Sequence, residues 1–456
     1  MIRKFLRRIF SSDTDTPPSR KKFRAITFAE HNVSRNHISR GSLQVTQTLQ
    51  QAGFAAYVVG GAVRDLLLGL KPKDYDIATN ATPEEVRRLF RRSRIIGRRF
   101  RLVHVISHNE TVEVSTFRGN TSHDLAQPHL AGAQTDADGR LLHDNIFGSQ
   151  EEDVMRRDFT INALFYDPKT EEIIDYLNGF EDVKSKRLSI IGNPEQRFRE
   201  DPVRILRAVR LAAKLGIQID DRTAAPIGDL APLLRNVPPA RLFDEMLKLL
   251  FSGHALAGAL DLRIRGLHHG LLPMLDVILE QPLGEHFITL TLRNTDERVQ
   301  QNQPASVGFL FAALLWHEVL ATWQAKTHAG EASIPAFHQT MAEVLSTQRA
   351  RLAIPRRHDG MICAIWSMQS RFHARAGRKP FRLLEQPYFR AAYDFMLLRC
   401  KSGEIEPEIA QWWHTFKDAD HTARESMLET ETAPKRRRKR RSKRKDVPDE
   451  KTIISQ

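Results

Sequence analysis

Asp74 and Asp76 stand one residue apart near the end of the run Tyr57–Thr79, YVVGGAVRDLLLGLKPKDYDIAT. Two carboxylates that close repel each other unless a cation lies between them. A hard divalent cation such as Mg²⁺ takes oxygen ligands and often combines one or two carboxylates with substrate phosphates. Upstream in the same run, Gly60 and Gly61 lack a Cβ, so the backbone there can turn tightly and come close to a ligand. Arg64 follows within four residues. An isolated D-x-D is common and usually marks a solvated loop. A Gly-Gly turn, an arginine and a D-x-D on one short frame form a much more specific combination.

The frame that must position them reads as strand, helix, strand. Tyr57 to Val59 is a short apolar run suited to a buried strand, and Val63 to Leu68 suits a short helix that Gly69 and Pro72 stop. A strand over Lys73 to Ile77 would alternate its side chains and point both carboxylates the same way. Thr82-Pro83-Glu84-Glu85 supplies an N-cap, a proline in the first turn and a capping-box glutamate, for a helix running to about Arg92. Arg101 to Ser107 and Thr111 to Phe117 are β-rich and, joined by His108-Asn109-Glu110, predict a hairpin. Glu113 lies inside the second strand, where a carboxylate needs a partner, a metal or an edge facing water. Gly119 to Asp144 is polar and aperiodic, which predicts a mobile loop, and His123, His129 and His143 do not have zinc-ligand spacing.

Further on, Gln150 to Tyr166 has helix character and contains MRRDFTINALFY. Glu172 to Leu177 is a strand candidate. In RFREDPVRILRAVRLAAKLG, Arg197 to Gly216, Arg204 and Arg207 are three apart and so share a helix face. From about residue 220 to 430 the apolar spacing is helical and holds no second catalytic constellation. Basic residues from Arg349 to Arg382 are interleaved with Trp366, Phe372 and Phe381, and Trp412-Trp413 follows. Such a mixture suits single-stranded RNA through phosphate contacts and base stacking. Any one of those aromatics is better read as core.

Hydrophobic residues make up 41% of the chain and charged residues 27%, as in ordinary globular protein. No run reaches the roughly 18 apolar residues of a membrane span. Two cysteines, Cys363 and Cys400, point to a reducing, cytoplasmic setting without a disulfide framework. The N-terminal MIRKFLRRIF lacks an unbroken apolar core and is no convincing signal peptide. It could touch anionic lipid weakly as a short amphipathic helix, although a frayed basic terminus is the favoured reading. Of the net charge of +14, ten units come from Lys435 to Lys445, where ten of eleven residues are basic. That block includes Lys435, Arg436, Arg437, Arg438, Lys439, Arg440 and Arg441. It cannot bury a core, so it should be disordered and open to polyanions.

The pattern G-G-x-V-R-D…L-G…D-x-D resembles the nucleotidyltransferase superfamily of DNA polymerase β type, in the class holding bacterial poly(A) polymerases and bacterial CCA-adding enzymes. The resemblance spans roughly residues 30 to 430. It implies an α+β fold, with a polymerase-β-like head of mixed sheet and helices followed by an all-helical neck, body and leg. The expected division is a leader at 1–50, the catalytic head at 51–185, the neck at 186–255, a helical body with RNA-binding region at 256–430, and the basic tail at 431–456. The resemblance also implies that Gly60, Gly61 and Arg64 hold a triphosphate. Asp74 and Asp76 would bind two Mg²⁺ ions, or Mn²⁺, with Glu113 as the third acidic position. Arg156 to Ala163 matches the family's R-R-D-F-T-x-N-A without a gap. This implies nucleotide contact by Arg157 and Asn162, and a place for Asp158 in the active site, on metal or orienting ribose and primer. Glu200, Asp201, Arg204 and Arg207 match E-D-P-x-R-x-L-R and would form the nucleotide-selecting surface, taking the place of a template.

The head motifs do not separate the two kinds of enzyme. IIGRRFRLVHV, Ile95 to Val105, resembles the stretch found in bacterial poly(A) polymerases, and the long helical second half with its basic end does too. The implied reaction is template-independent transfer of AMP from ATP to an RNA 3′-hydroxyl by a monomer, with RNA-decay proteins as further partners of the tail. The alternatives are a CCA-adding enzyme and, from a different class, a non-catalytic RNA-binding scaffold.

Overall fold

A computed structural model describes residues 23–97, 101–119, 133–135, 141–144, 146–267 and 282–429. The N-terminal basic segment, Arg98 to Phe100 of the discriminating stretch, most of the polar 119–144 segment and the Lys435–Arg441 block lie outside the described residues. The chain divides into two compact units, one up to Gly360 and one from Met361.

The first unit opens with a mixed sheet of eight strands. They are β1 (Arg24–Ile26), β2 (Ala56–Val59), β3 (Asp76–Thr79), β4 (Ser93–Ile96), β5 (Leu102–Ser107), β6 (Glu110–Thr116), β9 (Leu164–Asp167) and β10 (Glu172–Asp175), in the order β1-β10-β9-β2-β3-β6-β5-β4. The hairpin between β5 and β6 turns on His108 and Asn109, with φ of 47° and 63°. Two left-handed residues match the right-handed twist of the flanking strands, so the turn is two residues rather than three. Helix α1 (Arg40–Gln51), joined by α3 (Pro83–Leu89), covers one face, where Val45, Leu49 and Val86 pack with Ile77, Val103, Val105, Val112 and Val114. Below the opposite face, Val59, Ala78 and Phe165 pack with Phe117, Val154 and Ile191.

Several local expectations change. The strand carrying Asp76 begins at that residue, so Asp74 lies in the irregular chain before it and takes no part in the ladder. Pro72 and the following polar residues keep the chain out of the sheet until Asp76. The helix over 150–166 stops early. Helix α4 (Gln150–Arg156) ends at Arg157, whose ψ is 166°, and Leu164–Asp167 is a buried strand between β2 and β10. Asp158 accepts a hydrogen bond from the Phe159 amide at 2.8 Å, the kind of local contact that competes with helix. Part of the expected leader is structured, because β1 pairs with β10 at the sheet edge. Within the polar segment, β7 (Ala133–Thr135) and β8 (Leu141–Asp144) form a small antiparallel hairpin.

After the sheet come α5 (Gly179–Lys184), the short parallel pair β11 (Arg187–Leu188) and β12 (Gln218–Ile219), then α6 (Pro194–Glu200), α7 (Val203–Leu215) and α8 (Pro239–Leu250). Asp201 and Pro202 separate α6 from α7. Residues before proline are pushed toward extended backbone, and Asp201 has φ −149° and ψ 91°. Longer helices, among them Pro282–Gln300 and Ser333–Leu352, complete the unit.

The second unit is helical. Phe372, Tyr393, Met396, Trp413 and Phe416 form its core, and the Trp413 indole donates to the Phe372 carbonyl at 2.8 Å. Trp366 is also fully buried. These aromatics are therefore core rather than stacking platforms.

Candidate active site

Gly60 sits at the junction of β2 and α2 (Gly61–Leu67) with φ 71° and ψ −130°, a conformation costly for any residue with a Cβ. That turn opens a cleft of about 520 Å³ above the sheet. Gly60, Gly61, Arg64, Asp76, Arg157, Asp158, Asn162, Glu200, Asp201, Arg204 and Arg207 all line it, so residues from four separated stretches converge. Arg118, Asp153, Arg156, Arg210 and Arg241 join them from outside the expected set.

The carboxylates come from neighbouring strands. β3 runs parallel to β6 with Asp76 opposite Glu113, and residues directly opposite share a sheet face. Burial among the cleft walls and the negative charges of Glu113 and Asp74 push the Asp76 carboxyl up to about 6, against the pull of Arg157. The side chain is still open to the cleft. Asp74, although outside the ladder, is thus close enough to act on Asp76. Among the described residues, no three His, Cys, Asp or Glu side chains converge tightly enough to hold an ion unaided. A set of two or three repelling oxygen donors, completed by substrate phosphates, is the donor chemistry that Mg²⁺ favours. The residues present therefore fit such an ion.

Asp158 belongs to a different part of the site. Its carboxylate accepts from Arg207 Nη1 at 2.8 Å and from Asn162 Nδ2 at 3.1 Å. Burial alone would raise its pKa, but the Arg207 charge and these hydrogen bonds hold it at about 2. It is a permanent anion that anchors Arg207. Asn162 Oδ1 in turn accepts from Arg64 Nη1 at 2.6 Å, and Asp65 takes the rest of that buried guanidinium. Arg157 is held by Asp153 at 2.8 Å and lies 4.9 Å above the Phe165 ring. Arg64 and Arg157 are therefore fixed in place before any ligand arrives.

The neck closes the other wall. Arg204 bonds the Arg197 carbonyl at 2.6 Å and Glu200 at 3.1 Å. Arg207 and Arg210 from α7 both reach Glu245 on α8, at 3.5 and 3.1 Å, and Lys248 joins at 3.2 Å. Burial would raise Glu245, but these cations lower it below the ordinary carboxylate value. Arg241, four residues earlier on α8, holds Asp201 Oδ2 at 2.9 Å. The other oxygen, Oδ1, is buried beside the cleft without a hydrogen-bond partner in the protein. Sequence reading missed Arg241 and Glu245; their i, i+4 spacing on an amphipathic helix was the only available signal.

The cleft is lined by eight arginines and five carboxylates. Burial, together with repulsion from Arg118, Arg197 and Arg204, lowers the Arg156 guanidinium to about 10. Cations crowded until they disfavour one another's charge make a receptor for a polyanion.

Comparison with known proteins agrees with this geometry. Residues 56–189 match the poly A polymerase head domain, 216–279 the probable RNA and SrmB-binding site of polymerase A, and 329–446 the polymerase A arginine-rich C-terminus. The poly(A) polymerase I of Salmonella typhimurium is 42% identical over 97% of this chain and 97% of its own. The CCA-adding enzyme of Lactobacillus helveticus is 39% identical but over only 47% of this chain and 50% of its own. In three dimensions, the Bacillus stearothermophilus CCA-adding enzyme in complex with CTP superposes with a TM-score of 0.54 at 26% identity, covering 85% of this chain and 90% of that one. CCA-adding enzymes thus share part of the sequence and most of the fold, and sequence similarity along the whole length, arginine-rich end included, distinguishes the two kinds of enzyme: the chain belongs to the bacterial poly(A) polymerase I family.

Proposed function

We propose that the arginine-lined cleft receives ATP, and that the chain adds AMP from it to RNA 3′-hydroxyl ends without a template, releasing pyrophosphate. One observation carries this reading. Asp76, its carboxyl raised by burial and by the charges of Glu113 and Asp74, lines the same cleft as a group of mutually repelling arginines, and a metal-bound triphosphate relieves both.

Gly60 and Gly61 let the backbone approach the phosphates, and Arg157, pre-set by Asp153, supplies positive charge beside them. The buried Asp201 Oδ1 is an acceptor suited to the exocyclic amino group of a base. Arg204 and Arg207 offer planar arrays of donors next to it, held by Glu200 and Asp158. A selecting surface made of protein needs no nucleic-acid template. Asp74, Asp76 and Glu113 would hold the Mg²⁺ or Mn²⁺ ions, which when bound activate the 3′-hydroxyl and neutralise charge on the leaving pyrophosphate. Asp158 serves as a positioning anion for Arg207. No covalent nucleophile is required.

No helix among the described residues is long and apolar enough to cross a membrane. We place the activity in the cytoplasm, in a monomer whose basic tail meets RNA or proteins of RNA decay. The deciding experiment offers each labelled nucleoside triphosphate, singly and as CTP plus ATP, to a generic RNA with Mg²⁺. Long tracts from ATP alone are expected. Addition that needs CTP first, or that stops after one A, would assign the chain to CCA addition instead. Asp74→Ala and Asp76→Ala should abolish addition while RNA binding persists, and substantial addition by either variant would remove the carboxylates from the mechanism.

A further inference from the structure

His104 lies on β5 directly opposite Glu113 of β6, and Glu113 lies directly opposite Asp76 of β3. The three therefore form one row across the sheet, on the face turned away from the core of Val103, Val105, Val112 and Val114. His104 Nε2 is 3.1 Å from Glu113 Oε1. An ionised carboxylate only accepts, so Nε2 must carry the hydrogen. His104 also falls in Ile95 to Val105, the stretch that resembles poly(A) polymerases. Within that stretch, the His104 side chain bonds a site carboxylate.

We propose that His104 is a positioning residue for metal binding: by donating to one Glu113 oxygen, it turns the other toward Asp76 and the incoming ion. The physical reason is that a strand-borne glutamate has three rotatable bonds and an exposed position. Left to itself it samples many rotamers, and ordering it for an ion costs entropy. A hydrogen bond from the neighbouring strand removes part of that freedom beforehand. Outer partners of this kind orient ligands, and losing one typically weakens metal affinity about 10- to 100-fold. The proposal rests on Glu113 being a metal ligand, so its test separates the two ideas.

Mn²⁺ binding to the full-length protein, followed by the paramagnetic resonance signal of the free ion, reads affinity without turnover. His104→Ala should weaken binding at least about tenfold. His104→Gln, whose amide can still donate, should recover most of it. In a Glu113→Ala background, His104→Ala should add nothing, because the two residues act through one contact. Thermal melting of each variant controls for folding. Three outcomes would overturn the proposal. Weak binding in Glu113→Ala with parental binding in His104→Ala would retire His104 and leave Glu113 as a ligand. Parental binding in Glu113→Ala would retire both. Equal losses in His104→Ala and His104→Gln would show that donation is not what His104 contributes.

Discussion

At the scale of single residues, Asp76 and Asp158 carry opposite electrostatic signatures in one cleft. Asp76 is raised from 3.8 to about 6 by burial and by Glu113 and Asp74. A carboxyl whose folded pKa exceeds its unfolded value binds its proton more tightly when folded. Its contribution to stability is thus full below pH 3.8 and is lost as pH rises through about 6. In metal-free buffer at about pH 7.5, Asp76→Asn should therefore melt at a higher temperature than the parent, with the difference vanishing toward pH 3.8. Saturating Mg²⁺ should reverse the order, because only the parent gains a bound ion. A variant that melts lower in chelator at neutral pH would contradict the assigned repulsion. Asp158 is held at about 2, so its stabilisation is present above pH 3.8 and fades only as pH falls through about 2. Its charge is constant wherever the enzyme works, as an anchor for Arg207 requires. Arg204→Ala or Arg207→Ala should weaken apparent ATP affinity or relax base preference about 10- to 100-fold, as expected for a charge-assisted contact. Unchanged affinity and unchanged preference in both variants would show that this helix face is merely solvated.

At the scale of elements, the neck depends on how α7 meets α8. Glu245 is buried, and Arg207, Arg210 and Lys248 converge on it. Removing one member of a buried ion cluster strands the others, at a cost on the order of 3 kcal/mol. Glu245→Ala should lower the melting temperature. It should also raise KM for ATP, because Arg207 then keeps only Asp158. Replacement without effect on either quantity would mean that the α7–α8 contact is carried by apolar packing alone. The break at Asp201-Pro202 matters equally. It ends α6 with an extended residue and so turns the Asp201 carboxylate into the cleft, within reach of Arg241.

At the scale of the whole molecule, the basic block from Lys435 to Lys445 supplies ten of the fourteen net positive charges and is far along the chain from every cleft residue. It has no apolar side chains to pack. Cations of this kind bind phosphates by releasing counterions, with a slope of about −0.7 per phosphate neutralised on a single strand. Deleting Pro434 to Gln456 should lower RNA affinity at low salt and flatten its salt dependence, while turnover on saturating primer stays unchanged. Superimposable salt curves for the two proteins would assign the block to protein or membrane contact instead.

The sequence by itself determined the strand–glycine turn–helix–strand frame, the capped helix after Thr82, the β5–β6 hairpin and eleven of the eighteen cleft-lining residues. These are local matters: turn residues, caps and alternation act over a few positions and leave their mark in the order of residue types. Only the tertiary structure decided what the lining residues do to one another. It put Glu113 opposite Asp76, because strand register depends on a parallel pairing across 37 residues of chain. It converted Leu164–Asp167, which reads as the end of a helix, into a strand sealed between two others. It bound Arg207 to Asp158, 49 residues away, and to Glu245, 38 residues away. Cross-strand register and ion pairing between distant elements are set by burial of the whole sheet and neck, and no local pattern encodes them.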